Sequence, residues 1–131
     1  MLMDIFSEPT LGSRPFLREQ STSAVILVVE DPFVSSFLRT ILQRRGHKVI
    51  VGEPDRVSGL LRDGRLEALV VITNRPEAFL PLADTLPMLY IAANPDPALA
   101  IQFPICRVLR KPFRNDDLLE AVEELAHSVV P

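Results

Sequence analysis

Glu30 and Asp31 stand side by side at the end of an uninterrupted apolar run, AVILVV, and just ahead of Pro32. Paired carboxylates in such a place can grip a hard cation or, beside a proline, cap the helix that follows. Lys111, followed by Pro112, closes another short apolar stretch much later in the chain. Its ammonium suits an ion pair with those acids or a contact to an anion. The other titratable candidates are weaker. His47 follows Gly46 at the start of an extended stretch and His127 lies near a helix terminus, both ordinary surface or dipole-complementing positions. The single cysteine, Cys106, reads as a small core residue, and Arg39, Arg44 and Arg45 as a solvated helix face. No G-x-G-x-x-G or P-loop is present to cradle a phosphate, and glycine occurs only five times.

These groups need a scaffold that brings them to one place. A short, continuous, mostly β-branched run such as Ala24–Val29 reads as a strand buried on both faces, which occurs mainly in parallel sheets covered by helices. The acids then fall at the carboxyl edge of the sheet, where ligands of open α/β folds sit. Asp31 and Pro32 open a helix carrying Phe33, Phe37, Leu38, Ile41 and Leu42 at helical spacing, which Gly46 stops. Lys48–Val51 is a second strand, and Pro54-Asp55 opens a helix with Val57, Leu60 and Leu61 that ends near Gly64. Ala68–Ile72 is a third strand, Pro76–Thr85 a short helix or turn, and Met88–Ala92 a fourth strand. Arg107–Arg110 is a fifth, and Asn115–Ser128 a last helix with Leu118, Leu119, Val122 and Leu125 on its core face. Alternating strands and helices imply βαβ units, a parallel sheet and right-handed crossovers.

With 131 residues the chain is expected to hold one domain, 24–131, preceded by a Ser-, Thr-, Pro- and Arg-rich arm, 1–23, without sustained period. The arm reads as mobile. Its apolar clusters, Met1–Phe6 and Phe16–Leu17, offer contacts to a partner, but a loose terminus is the plainer reading. The start, MLMDIFSEPT, lacks the basic region of a secretory signal. A net charge of −3 gives no basic field for nucleic acid or an anionic membrane, and no apolar run is long enough to span a bilayer. One cysteine cannot form an internal disulfide, so a cytoplasmic location is expected.

From Ala24 to Val130 the chain resembles the receiver domain of two-component response regulators, a five-stranded (βα)5 flavodoxin-like module. The resemblance rests on ILVVED, ending in Glu30 and Asp31, and on LRKPF, with Lys111 and Pro112. It implies a site where an acidic pair holds Mg²⁺, an aspartate after the third strand takes a phosphoryl group, and the lysine contacts that group. It also implies that the Lys111-Pro112 peptide bond can be cis.

The chain departs from that pattern where the chemistry needs it most. The third strand reads EALVVITNRP, and counting back from Pro76 puts Ile72 in the acceptor's place; slips of one or two residues offer Thr73 or Asn74. None is a carboxylate. Ala92 stands where a reporting hydroxyl belongs, and Val108 where an aromatic switch usually sits. Between Ala93 and Arg107, prolines 95, 97 and 104 leave room for a turn or two of helix at most, around Ala98–Gln102, so the fourth helix is expected to be shortened or lost.

Glu30 and Asp31 stay open between metal binding and simpler roles. Measured from Gly46 the first helix is one residue short of the family's spacing, which makes Asp31 a helix cap in one register and a metal acid in the other. One usable acid beside Ile72 offers few oxygens to Mg²⁺, so no cofactor is expected. Lys111 is expected to pair with Glu30 or Asp31. These readings converge on a receiver-like protein-interaction or dimerisation module that binds a protein or itself without accepting phosphate. The alternatives are a Mg²⁺-dependent receiver using a non-standard acceptor, and a small-ligand-binding flavodoxin-like module. Without a basic helix, nucleic acid is not an expected partner.

Overall fold

The computed structural model describes residues 24–127; the expectations for the arm, 1–23, and for the chain's end lie outside the described residues. In chain order the elements are β1 (Val25–Val29), α1 (Pro32–Arg44), β2 (Val49–Val51), α2 (Pro54–Arg62) and β3 (Ala68–Thr73). A 3-10 helix, Pro76–Leu82, leads to β4 (Met88–Ala92), α3 (Pro97–Ala100), β5 (Cys106–Arg110) and α4 (Asn115–His127). The five strands form one parallel sheet in the order β2-β1-β3-β4-β5. This is the flavodoxin-like arrangement, with the chain reversing direction across the sheet beside β1.

Two apolar layers cover the sheet. On one face Ile26, Val28, Val70, Ile72, Leu89 and Ile91 meet Leu38 and Leu42 of α1 and Leu118, Val122 and Leu125 of α4. On the other, Val25, Leu27, Val29, Val71, Met88 and Tyr90 meet Val57 of α2 and Phe79 of the 3-10 helix. Alternate residues of β1 and β3 thus serve opposite layers, which is why these strands read as continuous apolar runs.

The core face of α1 keeps Leu38, Ile41 and Leu42 of the expected set but not Phe33 or Phe37. Phe33 is 87% exposed and Phe37 43%, whereas Ser35, Leu38 and Leu42 are buried. Leu38 and Leu42 form the centre of the stripe that packs on the sheet, with Val34 and Ile41 at its margin, and Phe33 and Phe37 fall outside it. The sheet-facing stripe runs through Ser35, three residues before Leu38 and seven before Leu42, and its hydroxyl donates to the Glu30 carbonyl at 3.0 Å, which makes burial of a small polar side chain tolerable. In α2 likewise, Val57 and Ser58 are buried while Leu60 and Leu61 are only half-buried.

Helix ends follow the sequence more closely. Asp31 Oδ1 accepts from Val34 N at 3.0 Å with Pro32 in the first turn, and Gly46 closes the loop after α1 at φ 86°. Its left-handed backbone suits glycine. The helix between β4 and β5 is a single turn, α3, capped by Asp96 Oδ1 on Ala98 N at 3.0 Å. Pro97 starts that turn and Pro104 follows its exit, which leaves no room to lengthen it.

Candidate functional site at the carboxyl edge

The carboxyl ends of β1, β3 and β4 converge with the loop after β5. The Glu30 side chain is fully shielded from solvent, and Lys111 Nζ lies 3.2 Å from each of its carboxylate oxygens. Only the contact to Oε1 has hydrogen-bond geometry; that to Oε2 is a charge contact. The Asp31 amide also donates to Oε1 at 3.3 Å. Burial raises the Glu30 pKa above its ordinary value, and Lys111 works against that rise without cancelling it. The loop reaches Glu30 because the Lys111 amide donates to the Ala92 carbonyl at 2.9 Å, extending the β4–β5 ladder by one bond; the Lys111-Pro112 bond is cis.

The residues at the end of β3 take three different positions. Ile72 is fully buried in the layer under α1 and α4, remote from solvent. Thr73 is also fully buried, opposite Val29 of β1 and Tyr90 of β4. Its hydroxyl donates to the Val29 carbonyl at 2.8 Å and accepts from the Arg75 amide at 2.9 Å. Asn74 and Arg75 then reach the surface and, with Glu30, Asp31, Gly52 and Glu53, line a cavity of about 260 Å³. Of the offered acceptor positions, Asn74 is the one that borders the acidic cavity. Arg75 and Glu53 were not singled out by motif, since both arrive through loop geometry. Arg75 and Glu77 form an exposed pair at 3.9 Å, which adds little stability.

An Mg²⁺ ion takes a near-octahedral set of oxygens, with carboxylates supplying one or two. Here the Glu30 carboxylate is held by Lys111 and an oxygen of Asp31 caps α1. Among the described residues no three His, Cys, Asp or Glu side chains gather at metal-binding spacing. A cation here would compete with Lys111 for Glu30 and with the Val34 amide for Asp31.

The remaining positions lie away from this cavity. Ala92 ends β4 half-buried, paired with Arg110, and Val108 is 42% exposed on β5. Val108 lies with Ile101, 81% exposed, beside a groove of about 470 Å³ between α3 and β5, floored by Phe103 and Cys106. Burial pushes the Cys106 thiol up, away from reactive thiolate. His47 Nε2 lies 3.4 Å from Glu123 Oε2 of α4 without hydrogen-bond geometry.

No family model matches the chain, and no curated protein matches it. Solved structures do. FixJ-N is similar over 85% of this chain and 99% of its own, at 18% identity and a TM-score of 0.64. A response regulator receiver protein from Sinorhizobium medicae WSM419 is similar over 82% of this chain and 98% of its own, at 20% identity and a TM-score of 0.66. The fold is that of a receiver domain. In this receiver fold the Glu30–Lys111 pair closes the carboxyl edge. No helix of the described residues is long and apolar enough to cross a membrane.

Proposed function

We propose that this receiver-fold domain is a protein-interaction module of two-component-type signalling, in the cytoplasm, that works by binding rather than by accepting phosphate. One observation carries the reading. The end of β3 offers an alkyl chain in the core, a hydroxyl held by two hydrogen bonds and an amide at the cavity, while Lys111 is held by Glu30. An acyl phosphate needs a free carboxylate as nucleophile. The binding surface we assign is the α3–β5 side, where Ile101 and Val108 expose apolar area beside a groove; its partner is another protein or a second copy of the chain.

Intact-mass measurement after incubation with Mg²⁺ and acetyl phosphate tests the central claim, with an aspartate-bearing receiver as control. The expected result is no added phosphoryl mass beside a labelled control. An added phosphoryl group on this chain would overturn the reading and favour a non-standard acceptor.

A further inference from the structure

The opposite, amino edge of the sheet carries a second concavity that the carboxyl-edge reading does not use. It measures about 360 Å³ and is lined by Leu61, Leu66, Leu69, Leu82 and Leu86, with Glu67 as the one charged residue in its wall. Four of these leucines are only half-buried. A ring of half-exposed leucines around a hollow is an unusual use of apolar side chains, and such patches mark contact sites. Ala24, the residue that leads into β1, also lines it. The Val25 amide donates to the Glu67 carbonyl at 3.0 Å, so the chain enters β1 along the rim of the groove.

What lies immediately upstream matters. Residues 1–23 contain two apolar clusters, and the nearer, Phe16–Leu17, ends seven residues before Ala24 with Arg14 and Arg18 on either side. Seven residues span up to about 23 Å when extended, ample to double back into a groove that begins at Ala24. The more distant cluster, Met1–Phe6, closes a loop roughly three times longer, which lowers its chance of reaching the groove by about fivefold. A short tether supplies an effective concentration on the order of millimolar, so even a weak contact is occupied within one molecule.

The geometry points to the chain's own Phe16 and Leu17 as the occupants of this leucine-lined groove, with Arg18 against Glu67. Their apolar side chains match the wall, and the flanking guanidinium matches its single acid. The carboxyl edge, α3 and β5 stay open, so the contact is independent of the partner surface assigned above.

Methyl NMR on the full chain, comparing the wild type with the double substitution Phe16→Ser and Leu17→Ser, tests this. The methyl resonances of Leu61, Leu66 and Leu82 are expected to shift, those of Val29 and Ile72 to stay in place, and the wild-type positions to be independent of protein concentration. A nitroxide on Ser13→Cys, in a chain also carrying Cys106→Ser, is expected to broaden Leu66 and Leu82. Unmoved leucine resonances, or an absence of broadening, would overturn the assignment. So would wild-type shifts that grow with concentration, which would place a second copy in the groove.

Discussion

Lys111 and Glu30, 81 residues apart in the chain, meet at 3.2 Å across the carboxyl edge. Glu30 is shielded and Lys111 is 27% exposed, so the two ends of the contact differ in what their loss would cost. Removing the ammonium leaves a carboxylate in a place water does not reach. Removing the carboxylate leaves a lysine that can turn toward solvent.

Lys111→Met, which keeps most of the stem, is therefore expected to destabilise the domain by about 1–2 kcal/mol at neutral pH. The Glu30 pKa should rise further in this variant, because Lys111 lowers it in the wild type. Adding Glu30→Gln should recover part of the loss. Urea unfolding of the two single variants and the double, combined as a cycle, checks the coupling.

The raised Glu30 pKa also sets a pH dependence. The ordinary value is 4.5, and the folded value lies above it. Between the two, the folded chain holds a proton that the unfolded chain has released, so folding stability falls as pH rises through this interval. The contribution is complete below the unfolded value and gone above the folded one. Urea midpoints measured across acid to neutral pH should show wild-type stability declining relative to Glu30→Gln in that window and running parallel above it. Wild-type stability that instead rises with pH relative to Glu30→Gln in that window would mean the carboxylate is stabilised in the fold.

Thr73 offers a sharper probe of the edge. Its hydroxyl ties β3 to the Val29 carbonyl and receives the Arg75 amide, so it fixes where Asn74 and Arg75 leave the sheet. Thr73→Val should cost about 1–2 kcal/mol and expose the Arg75 amide to fast hydrogen exchange. Thr73→Ser keeps both bonds and should retain that protection despite losing a methyl group. Equal exchange in the two variants would show that the hydroxyl does not organise the loop.

Much of this fold could be read from the chain because local signals and packing agree. The runs at Val25–Val29 and Ala68–Thr73 are buried on both faces, so their continuity marks strands, and Asp31-Pro32 and Gly46 bracket α1 as capping chemistry requires. The α1 core face was legible at Leu38, Ile41 and Leu42 but not at Phe33, Phe37 and Ser35. Phe33 and Phe37 are more apolar than Ser35, yet Ser35 lies on the stripe of Leu38 and Leu42, where its hydroxyl is satisfied by the Glu30 carbonyl, a bond that only the folded loop creates. The site divides in the same way. The spacing of ILVVED and LRKPF in a parallel sheet brings Glu30 and Lys111 together, but the position of the β3 end depends on register. Pairing of Thr73 with Val29 buries Ile72 and sends Asn74 and Arg75 to the cavity, which counting from Pro76 does not reveal.

Asp31 separates the two roles its sequence left open. As a cap it uses Oδ1 to hold the Val34 amide at 3.0 Å, and asparagine caps about as well as aspartate. Asp31→Asn should then be nearly neutral, while Asp31→Ala should lose about 1 kcal/mol. A metal acid behaves differently, since the neutral amide would weaken cation binding as well as alanine does. Thermal unfolding of the wild type and both variants, with and without Mg²⁺, distinguishes these cases. The expected pattern is a lower Tm for Asp31→Ala alone and no Mg²⁺-dependent shift in any of the three chains. A wild-type Tm raised by Mg²⁺ and insensitive to Mg²⁺ in both variants would assign Asp31 to the cation, and would require the Glu30–Lys111 contact to open when the ion binds.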